Sequence, residues 1–318
     1  MRTMAVALLT VVLAGPASAF DLQGHRGTRV LAPENSLAAF RTALAVGVDT
    51  LELDVHVTRD GQVVIAHDPR LDPTFTRDAE GRWIDAPGPA IIGLGLAELQ
   101  RFDIGRARPD SKYAQSWPQQ QGRDGERVPT LAALFDAVRA RGAERVRFNI
   151  EVKLSPLTPE LTPPPDPYVR ALLAVIDAHG MAARVTIQSF DWRALRLVQR
   201  LAPAIPTSAL TARQRWLDNL ADPRWTDGLE LAAYGGSVPR LVRAAGATTW
   251  SPYFGDLSAA LVAEAQALGL KVLPWTVNDA AAIERLVQWQ VDGLITDYPD
   301  RARAVLARLG VALPAPAP

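Results

Sequence analysis

Short runs of β-branched and aromatic residues alternate along the chain with longer Ala/Leu/Arg-rich segments of helical periodicity. This alternation is typical of βα units, whose successive strands lie parallel in one sheet. The predicted strands are Leu22–Arg26, Thr50–Val57, Val146–Val152, Arg184–Ser189, Thr207–Leu210, Thr248–Tyr253, Lys271–Val277 and Asp292–Thr296. Predicted helices between them include Asn35–Val46, Leu131–Arg141 and Ala259–Leu268. The pattern predicts an α/β fold, a TIM (β/α)8 barrel. An open doubly wound sheet is the alternative, but no G-x-G-x-x-G follows any strand.

Three segments depart from this alternation. Residues 72–128, after the second strand, form a connection too long for a simple loop, which predicts a small subdomain inserted over the site. The Pro-rich run Ser155–Pro167 follows the third strand and is expected to wall the mouth of the barrel semi-rigidly. Residues 312–318 have the composition of a disordered tail. The barrel domain is therefore expected to span residues 20–311.

Residues 1–19 have the features of a secretory signal peptide: Arg2, an apolar run from Ala5, and Ala17-Ser18-Ala19 as a cleavage site. The apolar run is short for a membrane span, so the expectation is an exported protein, periplasmic or secreted, with no stable membrane anchor. The 318 residues carry a net charge of 0 and include no cysteine, which excludes disulfides. The neutral charge argues against a nucleic-acid partner held by bulk electrostatics.

Polar residues cluster where four of the extended segments end. The clusters are GHRG (24–27), ELD (52–54), AHD (66–68) and NIEVK (149–153). The carboxyl-terminal ends of barrel strands form the rim on which active sites are built, so these clusters are expected to converge. A surface salt bridge or a network at the base of the barrel would be the simpler explanation for any one of them alone.

The segment after the second strand reads as a hairpin. Asp60-Gly61 is a strong signal for a two-residue type I′ turn. If no bulge intervenes, this turn pairs Asp54 directly with His67 and brings the imidazole to the same face as Glu52. His56, nearer the turn, is expected to be an exposed loop residue.

The residue types at the rim suggest a chemistry. Three carboxylates, Glu52, Asp54 and Glu151, make a hard oxygen site suited to one divalent cation, Mg²⁺ or Ca²⁺. His25 and His67 form a candidate acid/base pair that titrates near neutrality.

Two basic residues complete the set. Arg26 and Lys153 provide positive charge for an anion, and Lys153 is one of only three lysines among 34 basic residues. A cation, two imidazoles and two basic side chains are the parts needed to cleave a phosphodiester.

The same residues carry a resemblance to the glycerophosphodiester phosphodiesterase family. The matching segments are HRG (25–27), PENS (33–36), ELDV-x-x-T-x-D-G-x-x-V-x-x-H-D (52–68), IEVK (150–153), QSF (188–190), PWTVN (274–278) and DGLITD (292–297). They span nearly all of the chain after the leader, and PENS stands where PENT is commoner.

The resemblance implies a TIM barrel with an insertion after the HD motif. It implies His25 and His67 as catalytic acid and base, Glu52, Asp54 and Glu151 as metal ligands, and Arg26 and Lys153 as phosphate contacts. The implied activity is hydrolysis of glycerophosphodiesters, small-molecule substrates, to glycerol 3-phosphate and an alcohol. Two alternatives remain open: a lysophospholipase-D-like enzyme with an apolar groove under the insertion, and a two-lobed periplasmic binding protein for glycerophosphodiesters.

Four further residues have weaker assignments. Phe190 and Trp275 fall in the family motifs, so lining of the substrate pocket stands beside core packing for both. Asn35 is expected to cap the following helix. His179, just before Gly180, is expected to cap the end of a helix, where the helix dipole favours a positive charge.

Overall fold

The computed structural model of the protein describes residues 20–317. Its strands, in chain order, are β1 (Asp21–Gly24), β2 (Thr50–Val57), β3 (Val63–Ile65), β4 (Arg147–Val152), β5 (Val185–Ser189), β6 (Thr207–Thr211), β7 (Arg213–Gln214), β8 (Leu217–Asp218), β9 (Thr249–Pro252), β10 (Lys271–Val272) and β11 (Gly293–Thr296). Eight of them pair side by side in parallel, in the order β10-β9-β6-β5-β4-β2-β1-β11. Each of these eight overlaps a segment that the sequence predicts as a strand, with β1 starting one residue earlier and β6 ending one residue later than predicted.

Backbone hydrogen bonds join the two ends of this sheet. The amide of Asp292 donates to the carbonyl of Val272 at 3.0 Å, and the amide of Ile295 donates to that of Pro274 at 2.9 Å. These bonds bring β11 against β10, so the eight parallel strands form a nearly closed ring. The predicted TIM (β/α)8 barrel is thus confirmed, and the described chain forms one barrel rather than two lobes.

Helices connect the strands and cover the outside of the barrel. They are α1 (Leu37–Val46), α2 (Leu96–Leu99), α3 (Lys112–Ser116), α4 (Leu131–Ala140), α5 (Pro165–Ala178), α6 (Trp192–Leu201), α7 (Val238–Ala244), α8 (Ala259–Ala267), α9 (Ala280–Gln288) and α10 (Pro299–Arg308). Each long helix buries one apolar face against the strands; for example, Phe135 of α4 meets Phe148 of β4 edge to face, with ring centroids 4.9 Å apart. The polar strand ends are therefore left as the open face of the barrel.

The hairpin has a different register from the predicted one. In the structure His56 pairs with Val64 and Val57 with Val63, one residue away from the pairing that an Asp60-Gly61 turn would give. Gly61 has a φ of +78°, whereas Asp60 is not in the left-handed region, so a type I′ turn is ruled out. The Asp60 carboxylate instead accepts a hydrogen bond from the amide of Leu96 at 3.1 Å, which ties the turn to the first residue of α2.

The segment between β3 and α4 contains α2, α3 and a small hydrophobic cluster of its own. The buried members of this cluster are Val64, Leu71, Ile91, Leu99, Ile104 and Val128. The segment packs against the outside of the β2–β3 hairpin through Val64. It reaches the barrel mouth through α3 and the residue that follows it, Trp117.

The C-terminal segment lacks regular structure but is held against the barrel by hydrogen bonds. Residues 312–317 have no regular secondary structure, but they are not the free tail that their composition suggests. The amide of Ala317 donates to the carbonyl of Leu44 at 2.9 Å, and the Arg303 guanidinium binds the carbonyls of Gly47 and Pro314. These contacts hold the segment against α1. The proposed signal peptide, residues 1–19, lies outside the described residues.

Within residues 20–317, the structure contains no helix that is both long and apolar enough to cross a bilayer.

Candidate active site

Three carboxylates from adjacent strands meet at the rim. Glu52 and Asp54 lie on β2, and Glu151 lies on β4, where it is paired in register with Asp54. One oxygen from each residue lies within 4.8 Å of the other two, and all three side chains are buried. The sequence prediction that these residues converge is borne out by this geometry.

Crowding of the carboxylates shifts their pKa values in opposite directions. Burial, and then the charge of Asp54, raises the pKa of Glu52 well above its usual range. Burial also raises the pKa of Glu151, to about 7. Burial opposes ionisation of Asp54 too, but the charges of Lys153, of Arg26 and of His67 in its protonated form outweigh it and lower the Asp54 pKa. The raised pKa values of Glu52 and Glu151 mean that full ionisation of the cluster is unfavourable without a cation.

This donor set fits a hard divalent cation. All three groups are carboxylates, which Mg²⁺ and Ca²⁺ prefer as ligands. The Oδ1 atom of Asp54 is buried and accepts no hydrogen bond in the structure, and its ion pair with Lys153 Nζ is long, at 3.6 Å. A buried carboxylate oxygen with no hydrogen-bond donor is costly unless a cation is bound to it. Glu52, Asp54 and Glu151 could hold such an ion.

Neighbouring side chains fix the orientation of two of these carboxylates. Gln188 donates through Nε2 to Oε1 of Glu52 at 2.8 Å, and Asn149 in turn donates to Oε1 of Gln188 at 2.9 Å. Asn35 donates through Nδ2 to Oδ2 of Asp54 at 2.9 Å. Such partners orient metal ligands and set their basicity. The sequence analysis assigned no role at the site to Gln188, although its QSF motif pointed to it.

Asn35 does not cap the next helix as predicted. The cap of α1 is Ser36, whose side chain accepts a hydrogen bond from the amide of Ala39 at 3.1 Å. Asn35 has a φ of +54°, and in this left-handed conformation its amide reaches Asp54. Within the PENS motif, Asn35 thus contacts the carboxylate cluster and Ser36 caps the helix.

The backbone at the HRG motif is turned sharply. Arg26 has a φ of +52°, an uncommon conformation for a residue with a side chain, and its own amide donates to Oε2 of Glu52 at 2.9 Å. Gly27 has a φ of +83°, and a Cβ there would lie 2.7 Å from the backbone of Ala39. Only glycine allows α1 to approach so closely.

Glu34 holds the Arg26 side chain in place. Arg26 Nη1 donates to Oε1 of Glu34 at 2.6 Å, and Tyr113 of the insertion donates its hydroxyl to Oε2 of the same carboxylate at 2.7 Å. This contact provides a role for Glu34, for which the sequence alone suggested none. It also links the insertion to the rim.

A third cation joins Arg26 and Lys153 in the cavity. Arg29 lines the same space, its Nε lies 3.1 Å from Glu34, and its guanidinium lies 4.5 Å from the ring centroid of Trp117. Lys153 Nζ lies 2.9 Å from Glu151 and 3.6 Å from Asp54. The sequence analysis missed Arg29, although it lies only three residues beyond the HRG arginine.

His25 is oriented by a carboxylate that follows β11. Its Nδ1 donates to Oδ1 of Asp297 at 2.6 Å, and Asn278 donates to the other oxygen of Asp297, also at 2.6 Å. The opposite nitrogen, Nε2, lies 4.0 Å from Glu52 on the cavity side. Burial lowers the pKa of His25, and Asp297 opposes this shift. Asp297 of the DGLITD motif thus orients His25, and Asn278 of the PWTVN motif orients Asp297. The sequence analysis did not predict this arrangement.

His67 reaches the cavity from the end of the hairpin. Its Nδ1 donates to Oδ1 of Asp68 at 2.9 Å, and its side chain keeps 30% of its surface exposed. Loss of hydration, and then the charges of Arg26 and Lys153, lowers the pKa of His67 to about 4. The imidazole is therefore neutral at pH 7 and able to accept a proton.

The prediction that His56 is an exposed loop residue is wrong. His56 lies within β2, is 2% exposed and lines the same cavity. The strand continues to Val57, and β3 pairs alongside it, so this position is covered. The His56 Nε2 donates to the backbone carbonyl of His67 at 3.2 Å. His179 in contrast lies at the end of α5 as predicted, with Gly180 at a φ of +62°.

One cavity of about 520 Å³ is lined by His25, His56 and His67 together with the three basic side chains. Phe190 and Trp275 line it as well, edge to face with ring centroids 5.3 Å apart. The loop at 155–167 provides part of the wall, as predicted from its prolines. Residues 72–128 do not line it, so the insertion braces the rim rather than covering the site.

Comparisons with known proteins agree with this geometry. The sequence profile of the glycerophosphoryl diester phosphodiesterase family matches residues 25–301. A glycerophosphodiester phosphodiesterase of Caldanaerobacter subterraneus subsp. tengcongensis is 30% identical over 277 residues, which cover 87% of this chain and 93% of that protein.

Two solved structures extend the comparison. A crystal structure from Silicibacter pomeroyi that carries the same family name is 34% identical, with a TM-score of 0.84, and the match covers 94% of this chain and 97% of the other. A phosphodiesterase of Oleispira antarctica, solved in complex with the product sn-glycerol-3-phosphate, shares the fold at 22% identity and a TM-score of 0.66 over 90% and 96% of the two chains. From its profile match, relatives, fold and rim residues, the chain belongs to the glycerophosphoryl diester phosphodiesterase family.

Proposed function

We propose that the protein hydrolyses glycerophosphodiesters to glycerol 3-phosphate and an alcohol, with one divalent cation and two histidines. The observation that carries this proposal is a cluster of three carboxylates at a single cavity that is also lined by His25, His67 and three basic side chains. A protein that only binds glycerophosphodiesters would need the cations but not the imidazoles. The family and its relatives support the same activity.

The cation and the basic side chains act on the phosphate. Bound by Glu52, Asp54 and Glu151, Mg²⁺ or Ca²⁺ would supply Lewis-acid polarisation of a phosphoryl oxygen. Arg26 and Lys153 bind the other phosphate oxygens and offset the negative charge that develops during displacement. Glu34 keeps the Arg26 guanidinium from turning away from the cavity.

The two histidines transfer protons on opposite sides of the phosphorus. One imidazole removes the proton of the nucleophile, which is water or the glycerol hydroxyl of the substrate, and the other protonates the leaving alcohol oxygen. Nδ1 of each ring is held by an aspartate, so Nε2 is the nitrogen that exchanges protons with the substrate. This arrangement fixes the tautomer of each ring before the substrate binds.

A turnover assay tests the proposed function. The purified protein, with Mg²⁺ or Ca²⁺ present, is expected to release glycerol 3-phosphate and choline in equal amounts from glycerophosphocholine. A His25→Ala/His67→Ala double variant from the same host controls for contaminating phosphodiesterases. Product formation by the wild type no faster than by this variant would overturn the proposal.

His56→Ala is expected to lower kcat roughly 10- to 100-fold with little change in KM, because His56 fixes the backbone on which His67 stands. His56→Gln keeps a donor near the position of Nε2 and is expected to recover part of kcat. Steady-state kinetics of the three proteins, each with its melting temperature, makes the comparison. Equal kcat values for His56→Ala and the wild type would show that His67 needs no such support.

We further propose that the protein is exported and that residues 1–19 are removed. Arg2, the apolar run and the Ala17-Ser18-Ala19 site support this step. The intact mass of the protein from a periplasmic or culture-medium fraction is expected to match a chain that begins at Phe20. A protein retained in the cytoplasm with its leader intact would contradict it.

A further inference from the structure

The cavity has two chemically different sides. Every charged residue that lines it falls between His25 and Lys153 in the sequence; from Leu154 onward, the lining residues of the described chain carry no charge. This second part is built largely from large apolar side chains. Its main members are Leu154, Leu161, Phe190, Trp216, Leu217 and Trp275, referred to below as the apolar wall.

Trp216 is held in this wall rather than free on a loop. It lies between the short strands β7 and β8, and its ring meets Trp275 edge to face at 6.0 Å. The hairpin is fixed from below by Asp256, which accepts hydrogen bonds from the amide of Arg213 at 2.8 Å and from Gln214 Nε2 at 2.6 Å. Even so, Trp216 is 60% exposed.

Exposed large apolar side chains occur at both ends of the described barrel, but only one pair flanks the cavity. Leu157, 55% exposed, lies in the chain between the lining residues Ser155 and Thr158. Leu201 and Leu309 lie at the ends of α6 and α10, at the base of the barrel, because the helices run back from the rim. Trp216 thus continues the apolar wall to the surface, and Leu157 adds an exposed apolar side chain to the loop that forms part of the cavity lining.

We propose that the apolar wall binds the leaving alcohol of the substrate and that this alcohol is an apolar, chain-bearing one. This inference rests on the proposed function. The phosphate is placed by Arg26 and Lys153 at the charged side, so one ester arm must point along the wall. Glycerol has two free hydroxyls whose burial against leucine and tryptophan would be costly, so the glycerol arm takes the polar side.

The charges of the cavity favour a neutral alcohol over a cationic one. Arg26, Arg29 and Lys153 all line the space, and a divalent cation held by the carboxylate cluster would offset the negative charge of the lining acids Glu52 and Glu151. The aromatic rings of the wall could face a quaternary ammonium. However, no lining residue of the described chain from Leu154 onward is acidic, so nothing there offsets the repulsion between like charges. An alkyl chain gains from the same rings and from the leucines without that penalty.

Substrates of graded chain length test the inference. The probes are glycerophosphodiesters of ethanol, butanol, hexanol and octanol, with kcat/KM measured for each on the metal-loaded enzyme. Each methylene that reaches the wall is expected to raise kcat/KM about two- to fourfold. Trp216→Ala and Leu157→Ala are expected to reduce the slope of kcat/KM against chain length. Leu201→Ala, which changes a leucine at the base of the barrel, is the matched control and is expected to keep the slope. The slope is a ratio within one protein, so a change in overall activity does not disturb it.

Two further probes separate the alternatives. The 3,3-dimethylbutyl ester has the shape of the choline ester without its charge, and it is expected to be the better substrate. A clear preference for choline would overturn the inference, as would a flat alkyl series. If kcat/KM instead rose only when an acyl chain was placed on the glycerol, as in a lysophospholipid, the wall would bind the glycerol side of the substrate. That result would also overturn the inference. If no glycerophosphodiester is turned over at all, the proposed function itself fails.

Discussion

Removal of divalent cations is expected to abolish hydrolysis of glycerophosphocholine, and added Mg²⁺ or Ca²⁺ is expected to restore it. The reason is the cluster of Glu52, Asp54 and Glu151, whose ligand atoms lie within 4.8 Å of one another. Without a cation, burial and mutual repulsion raise the pKa values of Glu52 and Glu151. An ion held by these carboxylates would remove this repulsion and would supply Lewis-acid polarisation of the phosphate.

The measurement is activity in excess EDTA, followed by metal titration and elemental analysis of the purified protein. The melting temperature provides a second readout that does not depend on turnover, because an ion that binds only the folded protein raises it. In the Glu151→Gln variant, added cation is expected to raise the melting temperature much less than in the wild type. Full activity in EDTA, with no metal found, would refute the metal site.

His25→Ala is expected to lower kcat by roughly 10²–10⁴-fold, because general acid or base catalysis contributes about that much. His67→Ala is expected to cause a loss of the same order, since the reaction needs a proton removed and a proton supplied. Asp297→Asn is expected to approach the effect of His25→Ala, because an amide cannot hold the Nδ1–H tautomer that the carboxylate selects. Steady-state kinetics with glycerophosphocholine measures all three.

His179→Ala is the matched control, since this histidine lies at the end of α5, on the far side of the barrel from the site. It is expected to keep kcat close to that of the wild type. If Asp297→Asn retained wild-type kcat while His25→Ala lost it, the aspartate would be shown to have no part in orienting the ring.

The barrel could be predicted because each strand is marked locally. Runs such as Thr50–Val57 are rich in β-branched residues and are bounded by turn residues, and each fits one βα repeat. Convergence of Glu52, Asp54 and Glu151 then follows from strand order alone, since β2 and β4 are neighbours in a parallel sheet. These parts depend on local pattern and on the general rule that barrel sites lie at strand ends.

The hairpin could not be predicted because its turn is shaped by a distant segment. Asp60 binds the amide of Leu96 at the start of α2, a contact across 36 positions of sequence. The resulting loop shifts the register by one, so His56 faces Val64 rather than Ile65, which lies one residue farther from the turn. A one-residue shift changes which side chains face each other across the hairpin. The error over the exposure of His56 has a different origin, since β2 continues to Val57 and is paired with β3 at this position.

The partners that orient the site residues were also beyond the sequence analysis. Gln188, Asn35 and Asp297 each bind a predicted site residue, but they lie on strands or loops far away in the chain. Hydrogen bonds of this kind depend on the positions of side chains in the folded protein. The hydrophobic pattern of the sequence predicts strands and helices but not these positions. Asp297 had one available signal, because it directly follows a predicted strand at the rim.

The most direct test of the central claim is a crystal structure of the protein with glycerol 3-phosphate and Ca²⁺. We expect anomalous density for one cation between Glu52, Asp54 and Glu151, and phosphate oxygens within hydrogen-bond distance of Arg26 and Lys153. The glycerol carbons are expected on the polar side, next to the two histidines. Phosphate bound outside this cavity, with no cation among the three carboxylates, would contradict the account.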